Sequence, residues 1–340
     1  MLFRSLYNGN KRLKTIQQEK LNNQVAELDV ATSENNIQES IAQVYIQILY
    51  AAESVKVNES TLQVSIAQRD RGQELLNAGS IAKSDFAQLE AQVSTDRYQL
   101  VTAQATLEDY KLQLKQLLEL DGENEMNIYL PALSDENVLA PLPTKKDVYI
   151  RALSLRPEIE ASKLNVEASE LGIGIAKSSY LPTISLSAGI GTNHTSGSDF
   201  TFGEQVKNGW NNSIGLSVSV PIFNNRQTKS AVQKAKLQYE TSMLSLLDEQ
   251  KTLYKTIEGL WLDANSAQQR YAAANEKLKS TQISYELISE QFNLGMKNTI
   301  ELLTEKNNLL QAQQEQLQAK YMAILNMQLL KFYQGDQLAI

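Results

Sequence analysis

The chain matches itself when it is shifted so that Asn77 falls on Asn293, and this repeat limits its possible folds more than any other feature. The triplet Asn77-Ala78-Gly79 returns as Asn293-Leu294-Gly295, and at the same offset Asp85 returns as Glu301. The alignment needs no gap from end to end. Two coiled coils can share a spacing of apolar residues by chance. A helix break shared at the same offset is much harder to explain in that way, and it indicates a duplicated structural unit.

Each repeat contains a very long stretch with the pattern of a helix. Between Lys11 and Leu76 there is no proline, and Gly72 is the only glycine. A single helix of this length would extend for roughly 100 Å. An Asn-x-Gly turn and a second helix running back are predicted to follow in each repeat, and these return helices end near Glu119 and Tyr333. Apolar residues recur at steps of four and three, which predicts packing against another helix; they are Ile37, Ile41, Val44, Ile48, Ala51 and Val55.

Two further stretches alternate between apolar and small polar residues, as β-strands do, and they predict strands at 181–193 and 210–223. No charged residue lies between Leu181 and Thr192 or between Trp210 and Asn225. Strands with one apolar face and one small polar face are typical of transmembrane β-strands, with lipid on one side and a watery lumen on the other. The side chains predicted to face lipid are Ile184, Leu186, Ile190, Ile214, Leu216, Val218 and Val220.

Aromatic residues flank the two predicted strands. Tyr180 and Phe223 lie at one end and Trp210 lies at the other. Such positions are typical of the aromatic girdles at the two membrane interfaces. The loop between the strands is long and polar. The alternative is a hairpin packed on the core of a soluble protein.

Composition narrows the functional classes. The net charge of −7 argues against nucleic acid as a partner. There is no cysteine, and His194 is the only histidine, so we expect no metal site, no cofactor and no nucleophile activated by a base. We therefore predict that the protein is not an enzyme. The chain has no apolar run long enough for a transmembrane helix, and its first residues lack the apolar core of a signal peptide.

Several motifs together resemble the TolC-type outer membrane efflux protein family. They are Arg156-Pro157-Glu158 before a helix, Tyr180-Leu181-Pro182 before a strand, and the sequence VPIFNN from Val220 before a long helix. Gly295, followed six residues later by Glu301, is the fourth. The resemblance covers essentially the whole chain, including the duplication.

The resemblance implies a mainly α fold with a β-barrel part. Duplicated long-helix hairpins would form an α-barrel across the periplasm, and outer-membrane strands would join a shared twelve-stranded barrel in a homotrimer. The implied function is a passive exit duct of a tripartite efflux or type I secretion system. The implied partners are outer membrane lipid, a periplasmic adaptor (membrane fusion) protein and, indirectly, an inner-membrane pump of the RND, ABC or MFS type.

The resemblance also implies a gate at the periplasmic tip. Asp85, Phe292 and Lys297 match an acid–aromatic–base network that holds the gate shut, and an exposed Asp85–Lys297 pair would contribute about 0–1 kcal/mol. Glu301 matches an acidic residue of the constriction. Thr304 stands where the family has a second acid, so the constriction would be less negative than usual.

Two turns are implied to contact the adaptor. The alternative for these residues is ordinary turn chemistry, with glycine at a positive φ and with Ser84 and Asp85 near a helix start. We call residues 77–80 the first turn and residues 293–296 the second turn. They consist of Asn77, Ala78, Gly79 and Ser80, and of Asn293, Leu294, Gly295 and Met296.

We predict a first repeat at 1–120, a connector at 121–155, a second repeat at 156–335 and a tail at 336–340. The first repeat has no counterpart of residues 156–216, which leads us to expect a chain that is truncated relative to the family. Met1–Tyr7 would be the stub of a strand, with Arg4 at the position of Val220.

Two hypotheses from different classes therefore follow from the sequence. The first is the outer-membrane exit duct. The second is a soluble helical coiled-coil protein with a structural or interaction role, or a non-functional fragment of the duct.

Overall fold

A computed structural model describes residues 2–120, 128–129, 138–197 and 199–338. The fold is mostly helical. In chain order the elements are β1 Leu2–Asn8, α1 Lys11–Asn77, α2 Lys83–Leu117, α3 Lys145–Leu155, α4 Pro157–Ser178, β2 Thr183–Gly191, α5 Phe202–Asn208, β3 Asn211–Ser219, α6 Gln227–Asn293 and α7 Thr299–Tyr333.

The helix bounds repeat at the offset found in the sequence. Helices α1 and α6 both have 67 residues, and α2 and α7 both have 35. Each bound in the second repeat lies at that one offset from its counterpart in the first, from Lys11 and Gln227 at the start to Leu117 and Tyr333 at the end. The duplication therefore holds for secondary structure as well as for sequence.

Both long helices begin after two consecutive residues in the left-handed region. Gly9 and Asn10 precede α1 with φ of 65° and 64°, and Asn225 and Arg226 precede α6 with φ of 48° and 62°. Glycine and asparagine tolerate this conformation, whereas arginine adopts it at a cost. A Cβ on Gly9 would lie 2.8 Å from the carbonyl oxygen of Ser178, so this position also needs glycine for space.

The chain divides into two compact units. One contains Met1–Thr32 and Arg156–Thr252, and the other contains Ser33–Leu155 and Leu253–Ile340. Both α1 and α6 contribute residues to both units. Within the described residues, no helix has an apolar stretch long enough to cross a membrane.

The first unit contains an antiparallel sheet in the order β1-β2-β3. Leu186 of β2 pairs with Arg4 of β1 on one side and with Leu216 of β3 on the other. Strand β3 ends at Ser219, so Val220, which we predicted on the lipid-facing side of the strand, lies just after it. Strands β2 and β3 are shorter than the predicted ranges of 181–193 and 210–223. Pro182 and Pro221 cannot donate to the ladder, which accounts for the start of β2 and the end of β3.

The loop between β2 and β3 holds a short helix that the sequence analysis missed. Helix α5 begins after Thr201, whose hydroxyl accepts the backbone N–H of Glu204, while the Glu204 carboxylate accepts the N–H of Thr201. This reciprocal pair is a capping box, and its Thr-x-x-Glu signature was visible in the sequence.

The second unit is organised around a large apolar core. Tyr271 of α6 and Tyr321 of α7 lie in it with the connector residue Val138. Trp261 donates its indole N–H to the carbonyl of Pro143 at 2.9 Å, and Gln268 donates to the carbonyl of Val138 at 2.9 Å. The connector segment that contains Val138 and Pro143 is thus tied to α6. The sequence also predicts one short strand in the connector before a short helix after Thr144; residues 121–127 and 130–137 of this segment lie outside the described residues.

Candidate functional site: the two helix turns

The two predicted adaptor-facing turns share one backbone geometry. Gly79 and Gly295 have φ of +73° and +74°. In the first turn the N–H of Ser80 bonds the carbonyl of Leu75 at 2.8 Å, and in the second the N–H of Met296 bonds the carbonyl of Gln291 at 2.8 Å. This is the Schellman pattern, which satisfies the last carbonyls of a helix and needs a left-handed residue, usually glycine. The expected positive φ of both glycines is confirmed.

The helices that leave the turns are capped differently. Asn298 accepts the backbone N–H of Glu301 at 2.9 Å, and Glu301 accepts the N–H of Asn298 at 3.2 Å, so α7 begins with a capping box. The equivalent position before α2 is Ala82, which has no side-chain acceptor. There the Asp85 carboxylate accepts the N–H of Ala82 at 3.3 Å.

The charge of Lys297, which directly follows the second turn, is balanced by a residue of the same segment. Lys297 donates to the Glu301 carboxylate at 2.6 Å, one helical turn along the chain. This bond, followed by the bond from the Asn298 backbone, lowers the pKa of Glu301. Among the ion pairs of the described residues, none joins Lys297 to Asp85, the pair that the sequence analysis suggested.

A cavity of about 350 Å³ brings residues of both turns together. Seven of the predicted tip residues line it: Ser80, Asp85, Phe292, Gly295, Met296, Lys297 and Glu301. Thr299, which is 2% exposed, also lines the cavity, and its buried hydroxyl has no hydrogen-bond partner. Apolar, acidic and basic groups therefore meet in one recess between the two turns.

The other predicted tip residues lie outside the recess. Asn77, Ala78, Gly79, Asn293 and Leu294 are exposed. Thr304 is also exposed, and its hydroxyl bonds the carbonyl of Ile300 at 2.8 Å.

Phe292, predicted to belong to the gate network, lies in a small apolar core. It is 3% exposed and packs with Leu89 and Leu302. Leu75 and Tyr285 pack against the same cluster. The aromatic ring is therefore part of the core that holds the two hairpins together behind the turns.

A buried charged cluster lies behind this apolar core and was missed by the sequence analysis. Lys306 of α7 donates to Asp96 of α2 and to Ser65 of α1, and Ser65 also donates to Asp96. Gln92 donates to the other carboxylate oxygen of Asp96 at 2.9 Å. The exposed fractions of Ser65, Asp96 and Lys306 are 2%, 1% and 3%. Burial lowers the pKa of Lys306, and the hydrogen bond and charge of Asp96 oppose this.

The cluster could not have been found from local sequence. Asp96 and Lys306 are separated by 210 residues and stand among many other charged helical residues. A lysine or aspartate within a polar helix ordinarily lies on a solvated face. Only the packing of three helices makes these two residues a pair.

The sheet presents a band of exposed apolar side chains. Ile190 of β2 is 70% exposed, and Ile214 of β3 is 84% exposed. Leu186 lies opposite Leu216, and Ile184 lies opposite Val218, so these residues share one face. On the other face Ser185 lies opposite Ser217 and Ser187 opposite Gly215. The aromatic residues Tyr180, Trp210 and Phe223 are exposed as well.

The fold is that of the outer-membrane channels that combine strands with long helical hairpins. It superposes on CusC with a TM-score of 0.86 at 18% identity, covering 98% of this chain and 76% of that one. It superposes on the Campylobacter jejuni CmeC outer membrane channel with a TM-score of 0.81 at 19% identity, covering 99% and 71%. Residues 148–335, more than half of the chain, match the family described as "Outer membrane efflux protein". The chain therefore belongs to the outer membrane efflux protein family.

Relatives of known name agree with this assignment. The chain is 24% identical over 290 residues to the outer membrane efflux protein BepC of Brucella suis, which covers 85% of this chain and 60% of BepC. It is 23% identical over 335 residues to the outer membrane protein TolC of Escherichia coli, covering 96% and 66%. The chain thus spans slightly less than two thirds of the length of these relatives.

Proposed function

We propose that the chain is a protomer of a passive exit duct in the outer membrane, used in a tripartite efflux or type I secretion system. Its helices would form a tunnel across the periplasm, and its strands would join a barrel shared by three copies. The observation that carries the proposal is the exposed apolar face that β2 and β3 form, since neither strand has a charged residue. Arg4 of β1, opposite Leu186, is the charged residue on this side of the sheet. Such a face is stable against lipid and unfavourable in water.

The free strand edges support assembly with other copies. Within the described residues β1 and β3 are the edge strands of the sheet. Unpaired backbone N–H and C=O groups are too costly in lipid, so the edges need further strands. A shared twelve-stranded barrel in a homotrimer, with strands from every copy, would satisfy them.

The recess between the two turns supports a gate and a docking site at the periplasmic end. Asp85, Lys297 and Glu301 would set the charge at the constriction, with Phe292 packed behind them. The exposed turn residues would contact the periplasmic adaptor, through which an RND, ABC or MFS pump supplies cargo. Exposed ion pairs contribute little stability, which suits a gate that opens.

A pair of substitutions on one strand tests the proposal. Leu216→Arg puts a charge on the apolar face, and Ser217→Arg puts the same charge on the small polar face one residue on. A charge on the lipid face costs about 2–4 kcal/mol near the middle of the membrane, whereas a lumen residue tolerates it. We expect Leu216→Arg to abolish the heat-modifiable trimer in the outer-membrane fraction and Ser217→Arg to retain it.

The outcome separates the two hypotheses. The proposed duct is contradicted if both variants assemble like the parent protein, or if the parent chain fractionates as a soluble protein. The soluble coiled-coil alternative is then favoured. A trimer lost only in Leu216→Arg supports the lipid-facing assignment.

A further inference from the structure

The gate and the barrel of the proposed conduit do not involve the buried cluster of Ser65, Asp96 and Lys306. Each residue comes from a different helix, and each is at most 3% exposed. Lys306 contacts both other side chains, while Gln92 satisfies the remaining oxygen of Asp96. We call Ser65, Asp96 and Lys306 the clamp.

We propose that the clamp fixes the register of α7 against the first helical hairpin, α1 and α2, and thereby positions the second turn against the first. The structure contains the bonds from Lys306 to Ser65 and Asp96. Their consequence for opening of the tip rests on the proposed function.

The chemistry of the clamp favours a role in register over a role in stability. A buried ion pair gains little over well-packed apolar residues of the same volume, because its desolvation offsets its attraction. Its geometry is nevertheless directional, and a shifted helix would leave both charges buried without partners. Apolar neighbours such as Leu89, Phe292 and Leu302 can slide past one another with a smaller loss.

The clamp is mechanically linked to the recess through α7. Lys306 lies seven residues after Thr299, the first residue of this helix, which corresponds to about two helical turns. Thr299 and Glu301 line the recess between the turns. Because α7 is continuous, a displacement at Lys306 moves the start of the helix and the second turn with it.

Other hydrogen bonds also join the two hairpins, but losing them in a shifted register costs less. Gln68 of α1 donates to the hydroxyl of Tyr285 of α6 at 2.8 Å, and Ser54 donates to Gln314 of α7 at 3.1 Å. These side chains are neutral, so a shift leaves no unpaired charge. The clamp therefore imposes a sharper penalty for a wrong register than these neutral contacts do.

The duplication does not provide a second clamp of this kind. The counterparts of Ser65 and Asp96 in the second repeat are Thr281 and Ala312, and the counterpart of Lys306 in the first is the exposed Glu90. These residues cannot form the same ion pair. The clamp is thus a property of the interface between the two hairpins of one chain, and not of the repeated unit.

The absence of cysteine permits a direct test on the full-length protein purified in detergent. Ala78→Cys and Leu294→Cys place one spin label on each exposed turn, at equivalent positions of the two repeats. Electron–electron double resonance then gives the distance between the turns. The two single-cysteine proteins report distances between copies and allow these to be separated from the distance within a chain.

The decisive variant is the double substitution Asp96→Leu with Lys306→Met. It removes the directional contact without leaving a buried charge unpaired. We expect the temperature of unfolding to stay near the parent value while the distance distribution between the turns broadens or shifts by about 5 Å, one turn of helix. The matched control is Glu315→Leu with Lys277→Met, which removes an α6–α7 ion pair that is 42% exposed on both sides. In this control the distance should not change.

An unchanged distance in the double variant overturns the clamp, whatever happens to stability. If this variant does not fold, Lys306→Met alone serves in its place, because it removes the contact of α7 while Asp96 keeps Ser65 and Gln92 as donors; an unchanged distance there overturns the clamp equally. Single-channel conductance of the unlabelled variants in planar bilayers is a separate readout. A parent protein that forms no channel contradicts the proposed duct and leaves the distance result standing.

Discussion

Gly79 and Gly295, at equivalent positions of the two repeats, hold the same left-handed backbone conformation, with φ of +73° and +74°. An added Cβ would meet no atom within 4 Å at either position. Both glycines are therefore required for their conformation and not for space. Each lets its helix end in a hydrogen-bonded turn, so the two turns can lie side by side around one recess.

Replacing either glycine by alanine should destabilise its turn by about 1 kcal/mol, because an L-residue in the left-handed region costs roughly 1–2 kcal/mol and part of this is recovered from the unfolded chain. We expect Gly79→Ala and Gly295→Ala to lower stability by similar amounts. Chemical unfolding of the purified protein, followed by circular dichroism, measures the effect.

Gly259 gives the control for this prediction. It lies inside α6, and an added Cβ there also meets no atom within 4 Å. Gly259→Ala should raise stability by about 0.5–1 kcal/mol because alanine is the better helix former. A loss of stability at Gly259 as large as that at Gly79 would contradict the conformational explanation.

The unequal caps of the two return helices predict opposite effects at equivalent positions. Asn298 caps α7 through the N–H of Glu301 at 2.9 Å, whereas Ala82 offers α2 no side-chain acceptor. Asn298→Ala should cost about 1 kcal/mol, and Ala82→Asn should gain a similar amount. The same unfolding measurement checks both. No gain from Ala82→Asn would mean that the bond from the Asp85 N–H to the Ala82 carbonyl at 3.1 Å already satisfies the donor that the new side chain would cap.

The lowered pKa of Lys306 predicts a pH dependence of stability. Burial makes the folded-state pKa lower than the ordinary value of 10.5. As pH rises between these two values, the unfolded chain keeps this proton while the folded chain loses it, so the free energy of unfolding rises with pH. Comparison with Asp96→Leu/Lys306→Met, titrated in parallel over the alkaline range up to the ordinary lysine pKa, isolates the effect from that of other groups.

We expect the stability difference, parent minus double variant, to grow across this alkaline range. Tyr321, whose pKa burial raises, contributes equally to both proteins and cancels. A difference that stays constant would show that Lys306 keeps its proton throughout, and the assigned burial effect would be wrong.

Much of the fold follows from patterns with a local cause. Long proline-free stretches, the Asn-x-Gly turns and Pro157 at the start of α4 predicted helices whose bounds agree with the structure to within a few residues. Strict alternation predicted β2 and β3. The missed helix α5 is short, and its capping signal lies within a polar segment that suggested only a loop.

The candidate site could be predicted only in part. Gly79 and Gly295 were found because a turn needs a particular backbone conformation. The pairing of Asp96 with Lys306 depends on how three helices pack, and no spacing in the sequence encodes it. The sequence predicted a pair of Lys297 with Asp85, whereas Lys297 bonds Glu301 one helical turn along the chain, a local contact that needs no packing of helices.

The two tryptophans allow a test of the sheet's surroundings. Trp210 is 58% exposed at the end of the sheet, whereas Trp261 lies in the helical unit with its N–H bonded to Pro143. Trp261→Phe leaves Trp210 as the only tryptophan and should cost about 1 kcal/mol for the lost hydrogen bond, which permits folding.

In liposomes, fluorescence of this Trp261→Phe protein should be quenched strongly by brominated lipid and weakly by aqueous acrylamide, because interfacial aromatic residues contact lipid. The reciprocal Trp210→Phe protein keeps Trp261 and should show little quenching by brominated lipid. Equal quenching of both proteins by acrylamide, with none by brominated lipid, would place Trp210 in water. The aromatic girdle would then be wrong, and with it the assignment of this end of the sheet to a membrane interface.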